Sequence, residues 1–187
     1  MPIENKSIVM PIENKIEEYL SKKSPYLYCK SVNIGNVEIE EKVRLQCFHC
    51  EKYNVKWTCP PRINIIDFKK LFSEYDNAMI VYCKIPFEGE EEYQKVRNDS
   101  TNLLHKSLLD IEKLLYYNNE SLAVSFIGGS CKLCKTCAPD KCRFPHLSRI
   151  PFEATGVNVI KFIKKELDMD IVFPLDKYMY RFGLILW

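Results

Sequence analysis

The stretch that decides the fold runs from Leu122 to Pro145, LAVSFIGGSCKLCKTCAPDKCRFP. Its first six residues, Leu122 to Ile127, are mostly apolar and short enough to predict a strand. Gly128 and Gly129 then turn the chain straight into a loop that carries Cys131, Cys134, Cys137 and Cys142 as C-x2-C-x2-C-x4-C. A strand that empties into a glycine-rich loop predicts ligands at the carboxyl edge of a sheet, where open α/β sheets build their sites. The glycines also let backbone amides approach the sulfurs of a bound cluster.

Four thiols within twelve residues are too crowded for a disulfide framework and too numerous for a single nucleophile. The bacterial ferredoxin run, C-x2-C-x2-C-x3-C-P, presents three thiolates from one tight loop to a [4Fe–4S] cubane. Cys131, Cys134 and Cys137 match that spacing, whereas Cys142 comes one residue late and its proline, Pro145, three residues after it. Lys132, Lys135, Lys141 and Arg143 lie among these thiols and would offset the negative charge of a thiolate-ligated cluster. Zinc is the alternative: it also accepts four cysteines, but usually as two separated C-x2-4-C pairs.

A second cysteine group lies upstream in CFHCEKYNVKWTCPPR, with Cys47, Cys50 and Cys59 at C-x2-C-x8-C-P-P. Pro60 and Pro61 remove two amide donors and stiffen the exit of that loop. His49 sits between two of the cysteines; sequence neighbours seldom reach one metal together, so a supporting or core role is expected for it. Tyr53 and Trp57 are expected to wall the site from water. Cys29 and Cys83 read as core thiols or as candidate fourth ligands, Cys83 from within a buried strand. His146, just past Cys142, is expected to support the ligands.

Around these loops, Pro11–Lys22 reads as a short amphipathic helix with Ile16, Tyr19 and Leu20 on one side. Asn36–Leu45 alternates at Val37, Ile39, Val43 and Leu45 and predicts a strand. Ile65–Tyr75 has helical spacing, and Ala78–Ile85 is a nearly continuous apolar run that reads as a buried strand. Glu90–Tyr117 predicts a long amphipathic helix with His105 off its apolar stripe and at the surface. Phe152–Leu167 predicts a further helix broken near Gly156, and Tyr178–Trp187 a closing strand. The fold class is therefore α/β: a single domain over residues 10–187, with a mixed central sheet flanked by helices and two cysteine-rich metal loops at one edge. Residues 1–9 hold the first copy of MPIENK, repeated at Met10–Lys15, and read as a duplicated start without function.

Composition narrows the function. With 27 Lys+Arg against 25 Asp+Glu, the formal charge of +2 leaves no electrostatic footprint for nucleic acid. Nine cysteines, seven of them in the two groups, call for a reducing compartment, since disulfide formation would destroy the sites. The polar start has no secretory h-region and no apolar run is long enough for a bilayer, so a cytoplasmic protein without membrane partners is expected. There is no P-loop, no G-x-G-x-x-G and no Ser/His/Asp pattern to favour nucleotide, hydride or acyl-transfer chemistry.

Taken together, the two loops resemble domain-of-unknown-function family 2284, cysteine-rich predicted metal-binding proteins of anaerobic archaea and bacteria. The shared pattern reads Cys47-x2-Cys50, Cys59-Pro60-Pro61, then Gly129-x-Cys131-x2-Cys134-x2-Cys137-x4-Cys142-Arg143-x-Pro145. It continues through Pro151-x-Glu153-Ala154-x-Gly156-Val157 to Phe182, Gly183 and Leu184, and so runs from about Val43 to the end of the chain. The resemblance implies metal binding and supplies no reaction. Three functions stay open. One or two [4Fe–4S] clusters could carry electrons to a redox protein partner. A cluster on Cys47, Cys50 and Cys59 alone would leave one iron open to a small-molecule substrate, making the protein an enzyme. Zinc would instead stabilise a structural or partner-binding module.

Overall fold

The computed structural model describes residues 10–63 and 66–187. The first copy of MPIENK and the first residue of the expected Ile65–Tyr75 helix lie outside them. Helix α1 (Ile12–Lys23) leads to strand β1 (Leu27–Ser31), then helices α2 (Glu41–Phe48) and α3 (Phe68–Ser73). Strand β2 (Ala78–Pro86), helix α4 (Gly89–Tyr116) and strand β3 (Val124–Phe126) follow, and the cysteine-rich loop leads on to helix α5 (Val159–Leu167) and strand β4 (Tyr178–Leu186).

The four strands form one sheet in the order β1-β2-β4-β3, and all three ladders are antiparallel. The single parallel pairing among the described residues is the isolated bridge from Ile127 to Pro151. Alternation along β2 explains why its sequence is apolar from Ala78 to Cys83. Met79, Val81 and Cys83 face α1 and α4, where Ile16, Leu20, Leu104, Leu108, Ile111 and Leu115 are buried. Ala78 and Ile80 face the other way, toward Phe68 and Phe72 of α3 and Phe162 and Ile163 of α5. Helices cover both faces, so the domain has three layers, and a central strand has no polar side to show.

Several sequence expectations hold closely: α1, β2, α4 and β4 fall within a residue or two of their predicted bounds. The break near Gly156 is also present. A short 3-10 turn at Phe152–Thr155 ends at Gly156 with φ +94°, a left-handed conformation that L side chains rarely adopt, before α5 begins. The Asn36–Leu45 strand is not formed. Ile39 alone makes a bridge, to Val157, and the chain then coils into α2, leaving Leu45 and Phe48 more than half exposed at 54% and 59%. The competing force is tertiary: the Glu40 amide donates to the Gly156 carbonyl at 2.8 Å, and the Arg44 side chain packs where a Cβ on Gly156 would sit. This docking outweighs a weak two-residue alternation. Strand β1 was not legible, because its five residues lack a clear alternation.

Candidate functional site

Both cysteine groups lie where β3 ends, and each gathers around its own cavity. Cys131, Cys134, Cys137 and Cys142 line one of them, together with Lys56, Trp57 and Thr58 from the upstream loop. Cys47, Cys50 and Cys59 line the second, with Tyr53, Gly129 and Glu153. The loops therefore cross: residues between Cys50 and Cys59 close the four-cysteine cavity, and residues just before Cys131 close the three-cysteine one. Two long-range hydrogen bonds fix this arrangement. Lys56 Nζ donates to the Cys134 carbonyl at 3.1 Å, and Trp57 Nε1 donates to the Ala138 carbonyl at 2.9 Å. Trp57 is capped on its other side by the Arg62 guanidinium, 4.6 Å from the ring centre.

The loops reach this position because their flanks are anchored. Gly128 packs so close to β4 that a Cβ there would lie 2.5 Å from the Phe182 carbonyl oxygen. Beyond Cys142, Arg149 donates from Nε to Glu112 of α4 at 2.7 Å and pairs with the same carboxylate through Nη2. Glu112 also accepts from the Ser125 amide at 2.8 Å, so one half-buried carboxylate ties α4, β3 and the end of the cysteine loop together. His105 completes the anchor. It was expected at the surface but is 3% exposed, with Nε2 2.8 Å from the Leu147 carbonyl. Burial holds its imidazole below the ordinary histidine range, so a neutral ring donates this bond. A polar residue on the shoulder of an apolar stripe can be buried whenever a neighbouring segment supplies a partner, and no residue near His105 in the chain signals one.

The electrostatics argue against a nucleophilic cysteine at Cys47, Cys59 or Cys131. Burial pushes the Cys59 thiol up to about 11, and the nearby Cys50 and Cys47 add to the rise. Cys47 is raised by burial and by Cys50, and Cys131 by burial against the opposing pull of the Leu133 amide and Lys56. Reactive cysteines show the reverse shift. Such thiols become thiolates when a cation is supplied, with release of protons. Cations also converge from distant parts of the sequence. Lys132 is held below its ordinary range by burial and by the proximity of Arg97, Arg181, Lys52 and Lys56. Lys56 is 8% exposed. Of the four basic residues expected around the thiols, Lys132 belongs to this group, whereas Arg143 instead donates to the Thr136 carbonyl within its own loop at 2.9 Å.

One buried polar atom tests the fit of a metal–sulfur group directly. The Thr58 hydroxyl is buried in the wall of the four-cysteine cavity, with no partner at full hydrogen-bond geometry among the described residues; its one polar neighbour is the Cys59 sulfur, whose thiol it draws down. A buried hydroxyl left unpaired is costly, and a metal-bound thiolate or sulfide would accept its proton. The donor set therefore suits a sulfur-rich metal group. Among the described residues no three His, Cys, Asp or Glu side chains are already closed into a formed metal site, so binding would draw the thiols of each cavity inward.

The other candidates are placed away from both cavities. Cys83 is fully buried in β2, where Sγ contacts the Ser100 carbonyl at 3.7 Å and burial pushes its thiol up to about 12. Cys29 lies opposite Val81 in β1 and packs against the α1–α4 side of the core. His49 is exposed and meets only the edge of Phe48, so the expected core role is not found, and the exposed His146 lines neither cysteine cavity. Tyr53 lines the three-cysteine cavity as expected, whereas Trp57 lines the four-cysteine one instead. Cys83→Ala is accordingly expected to leave metal content unchanged and to cost about 1 kcal/mol of stability in a denaturant titration. Loss of metal from that variant would make Cys83 a ligand.

An α/β domain that gathers seven cysteines around two adjoining cavities beside a buried lysine has the donor set that sulfur-ligated metal centres use. The chain belongs to the family described as predicted metal-binding protein (DUF2284), whose model matches residues 30–187. No curated protein and no solved structure is significantly similar to it. No helix among the described residues is long and apolar enough to cross a membrane.

Proposed function

We propose that the protein binds iron–sulfur clusters at Cys131, Cys134, Cys137 and Cys142 and at Cys47, Cys50 and Cys59, and that it passes electrons to a redox partner in a reducing compartment. The observation that carries this reading is the meeting, at one cavity, of four cysteines, three of them at ferredoxin spacing, with a buried lysine and a buried hydroxyl that has no well-formed hydrogen bond. Close approach of the groups supports transfer between them: Cys131 lies near enough to Cys59 to raise its thiol further. The cations Lys56, Lys132 and Arg181 would stabilise the reduced, more negative state and raise its potential. Protein purified without oxygen is expected to be brown, with broad absorbance near about 400 nm and iron and sulfide in equal amounts.

A second reading is favoured by one dimension. The four-cysteine cavity measures about 10 Å³, room for a single small sphere, against about 190 Å³ at the three-cysteine site. So narrow a space suits one tetrahedral zinc, which would stabilise the loop outright. Metal analysis of the same preparation decides: a colourless protein with stoichiometric zinc and no sulfide overturns the iron–sulfur reading.

A further inference from the structure

The three-cysteine cavity has a further donor on its wall. Besides the thiols of Cys47, Cys50 and Cys59, Glu153 alone among its lining residues carries a carboxyl group. Tyr53 and Ser130 offer only neutral hydroxyls there, and Lys52 is paired with Glu51 at 2.9 Å. The cavity of about 190 Å³ between these groups leaves more room than a single ion needs.

The fold holds Glu153 at this wall from both sides. Pro151 bridges to Ile127, and the Phe152 amide donates to the Ile127 carbonyl at 2.8 Å, so the turn Phe152–Thr155 is tied to the end of β3. On the other side the Gly156 amide donates to the Glu153 carbonyl at 3.0 Å. Phe152, Ala154 and Thr155 are buried, and Glu153 is the one residue of the turn that stays partly open. Its Oε2 accepts from the Gly129 amide at 3.4 Å, near the outer limit of a hydrogen bond. The carboxyl group lies close enough to Cys47 to oppose ionisation of that thiol. Among the described residues no lysine, arginine or histidine is within ion-pair distance of it; the amides of Gly129 and of Glu153 itself are its neighbours, and Arg181 attracts it only from farther off. A half-buried carboxylate with amide partners alone is short of a cation, and a metal beside the three thiols would supply one.

We propose that Glu153 is the fourth protein ligand of the three-cysteine site, filling the position for which no further cysteine or histidine is at hand. The proposal rests on metal binding at Cys47, Cys50 and Cys59 and takes from the iron–sulfur reading only the identity of the group, since three thiolates and a carboxylate also suit zinc. An oxygen ligand suits a cluster iron less well than a thiolate, so this site stays the more labile of the two.

Metal retention in the full chain carrying Cys134→Ala, purified without oxygen, tests this. Iron and sulfide are counted before and after mild ferricyanide oxidation, and an EPR spectrum is recorded on the oxidised sample. With Glu153 in place the iron-to-sulfide ratio should stay at about 1:1. Adding Glu153→Gln, which keeps the shape and an acceptor for the Gly129 amide, should lower the ratio to about 3:4 and bring up the signal of a three-iron cluster, because one iron alone has lost its ligand. Glu153→Asp keeps the carboxylate on a shorter reach and should fall between the two. Circular dichroism checks that each variant is folded. A ratio that does not move in folded Glu153→Gln and Glu153→Asp protein, or iron and sulfide lost together at a constant ratio, as a purely structural role predicts, overturns the proposal. So does a drop to about 3:4 in Tyr53→Phe or Ser130→Ala with none in Glu153→Gln, which moves the ligand elsewhere on the wall. Colourless protein that holds zinc refutes the cluster and leaves this proposal to a chelator competition, in which Glu153→Gln should weaken zinc at least about tenfold and equal affinity overturns it. Brown protein whose ratio Glu153→Gln does not change refutes only the ligand, and Cys134→Ala protein that holds neither metal refutes both readings.

Discussion

Limited exposure to air is expected to strip iron from the Cys47, Cys50 and Cys59 site well before the four-cysteine site. Loop length does not cause the difference. The two ligand runs span thirteen and twelve residues, and closure entropy depends too weakly on length to separate them. Ligand count and access do. The first site has three motif cysteines, an exposed Cys50 and a cavity of about 190 Å³; the second has four cysteines around about 10 Å³. Neither Cys29, Cys83 nor His49 lines the three-cysteine cavity, so no fourth thiolate or imidazole is at hand among the described residues. An iron without a protein thiolate is the one most open to oxygen. Each of Cys50→Ala and Cys134→Ala should lose about half of the total iron, one cluster of two. During an oxygen titration the Cys134→Ala protein, left with the first site alone, should lose its remaining iron sooner. Greater resistance of Cys134→Ala than of Cys50→Ala would remove the open-iron reading.

Gly128→Ala is expected to be among the most damaging single substitutions in the chain. The added methyl would meet the Phe182 carbonyl oxygen at 2.5 Å and the Phe182 nitrogen at 3.1 Å. Both are backbone atoms of a strand pinned to β2 through the Phe182–Tyr82 pair, so neither can swing aside. Relief has to come from moving the exit of β3, which carries Cys131 three residues later. A cost of about 3 kcal/mol, at the upper end for a small overpacking change, would lower Tm by roughly 6–12 °C for a domain of this size. Metal content should fall with it. Gly129→Ala makes the control. Its Cβ would meet nothing within 4 Å, and only the left-handed φ of +77° opposes it, for about 1 kcal/mol. If Gly128→Ala melts within about 2 °C of the unaltered protein, the packing account of this turn fails.

Proteins that hold metals in short cysteine loops need a frame that fixes where the loops begin and end. Here that frame is polar as well as apolar. The Glu112 carboxylate joins α4, β3 and Arg149, and His105 holds the Leu147 carbonyl, so the chain on the far side of Cys142 is as firmly tied as the side entering at Gly128. Charge balance is likewise assembled across the fold: Lys56, Arg97, Lys132 and Arg181 come from four different segments.

The sequence by itself determined the elements whose signals are local and strong. The period of the α4 stripe, the nearly continuous apolar run of β2, the closing strand and the break at Gly156 follow from side-chain spacing and glycine, which act over a few residues. The two cysteine groups and the class of chemistry they suit were equally legible, because ligand spacing within a loop is itself sequence. Only the tertiary structure decided the rest. It turned Glu41–Phe48 into a helix against a weak alternation, and made the sheet antiparallel, so the site follows from how β3 ends rather than from the edge rule of parallel sheets. It buried His105, interleaved the two loops so that Lys56 and Thr58 serve cysteines more than seventy residues away, and set Arg181 against Thr101 of α4. Each of these depends on which distant segment supplies a partner for a buried polar group or charge, and no local window of the chain contains that partner.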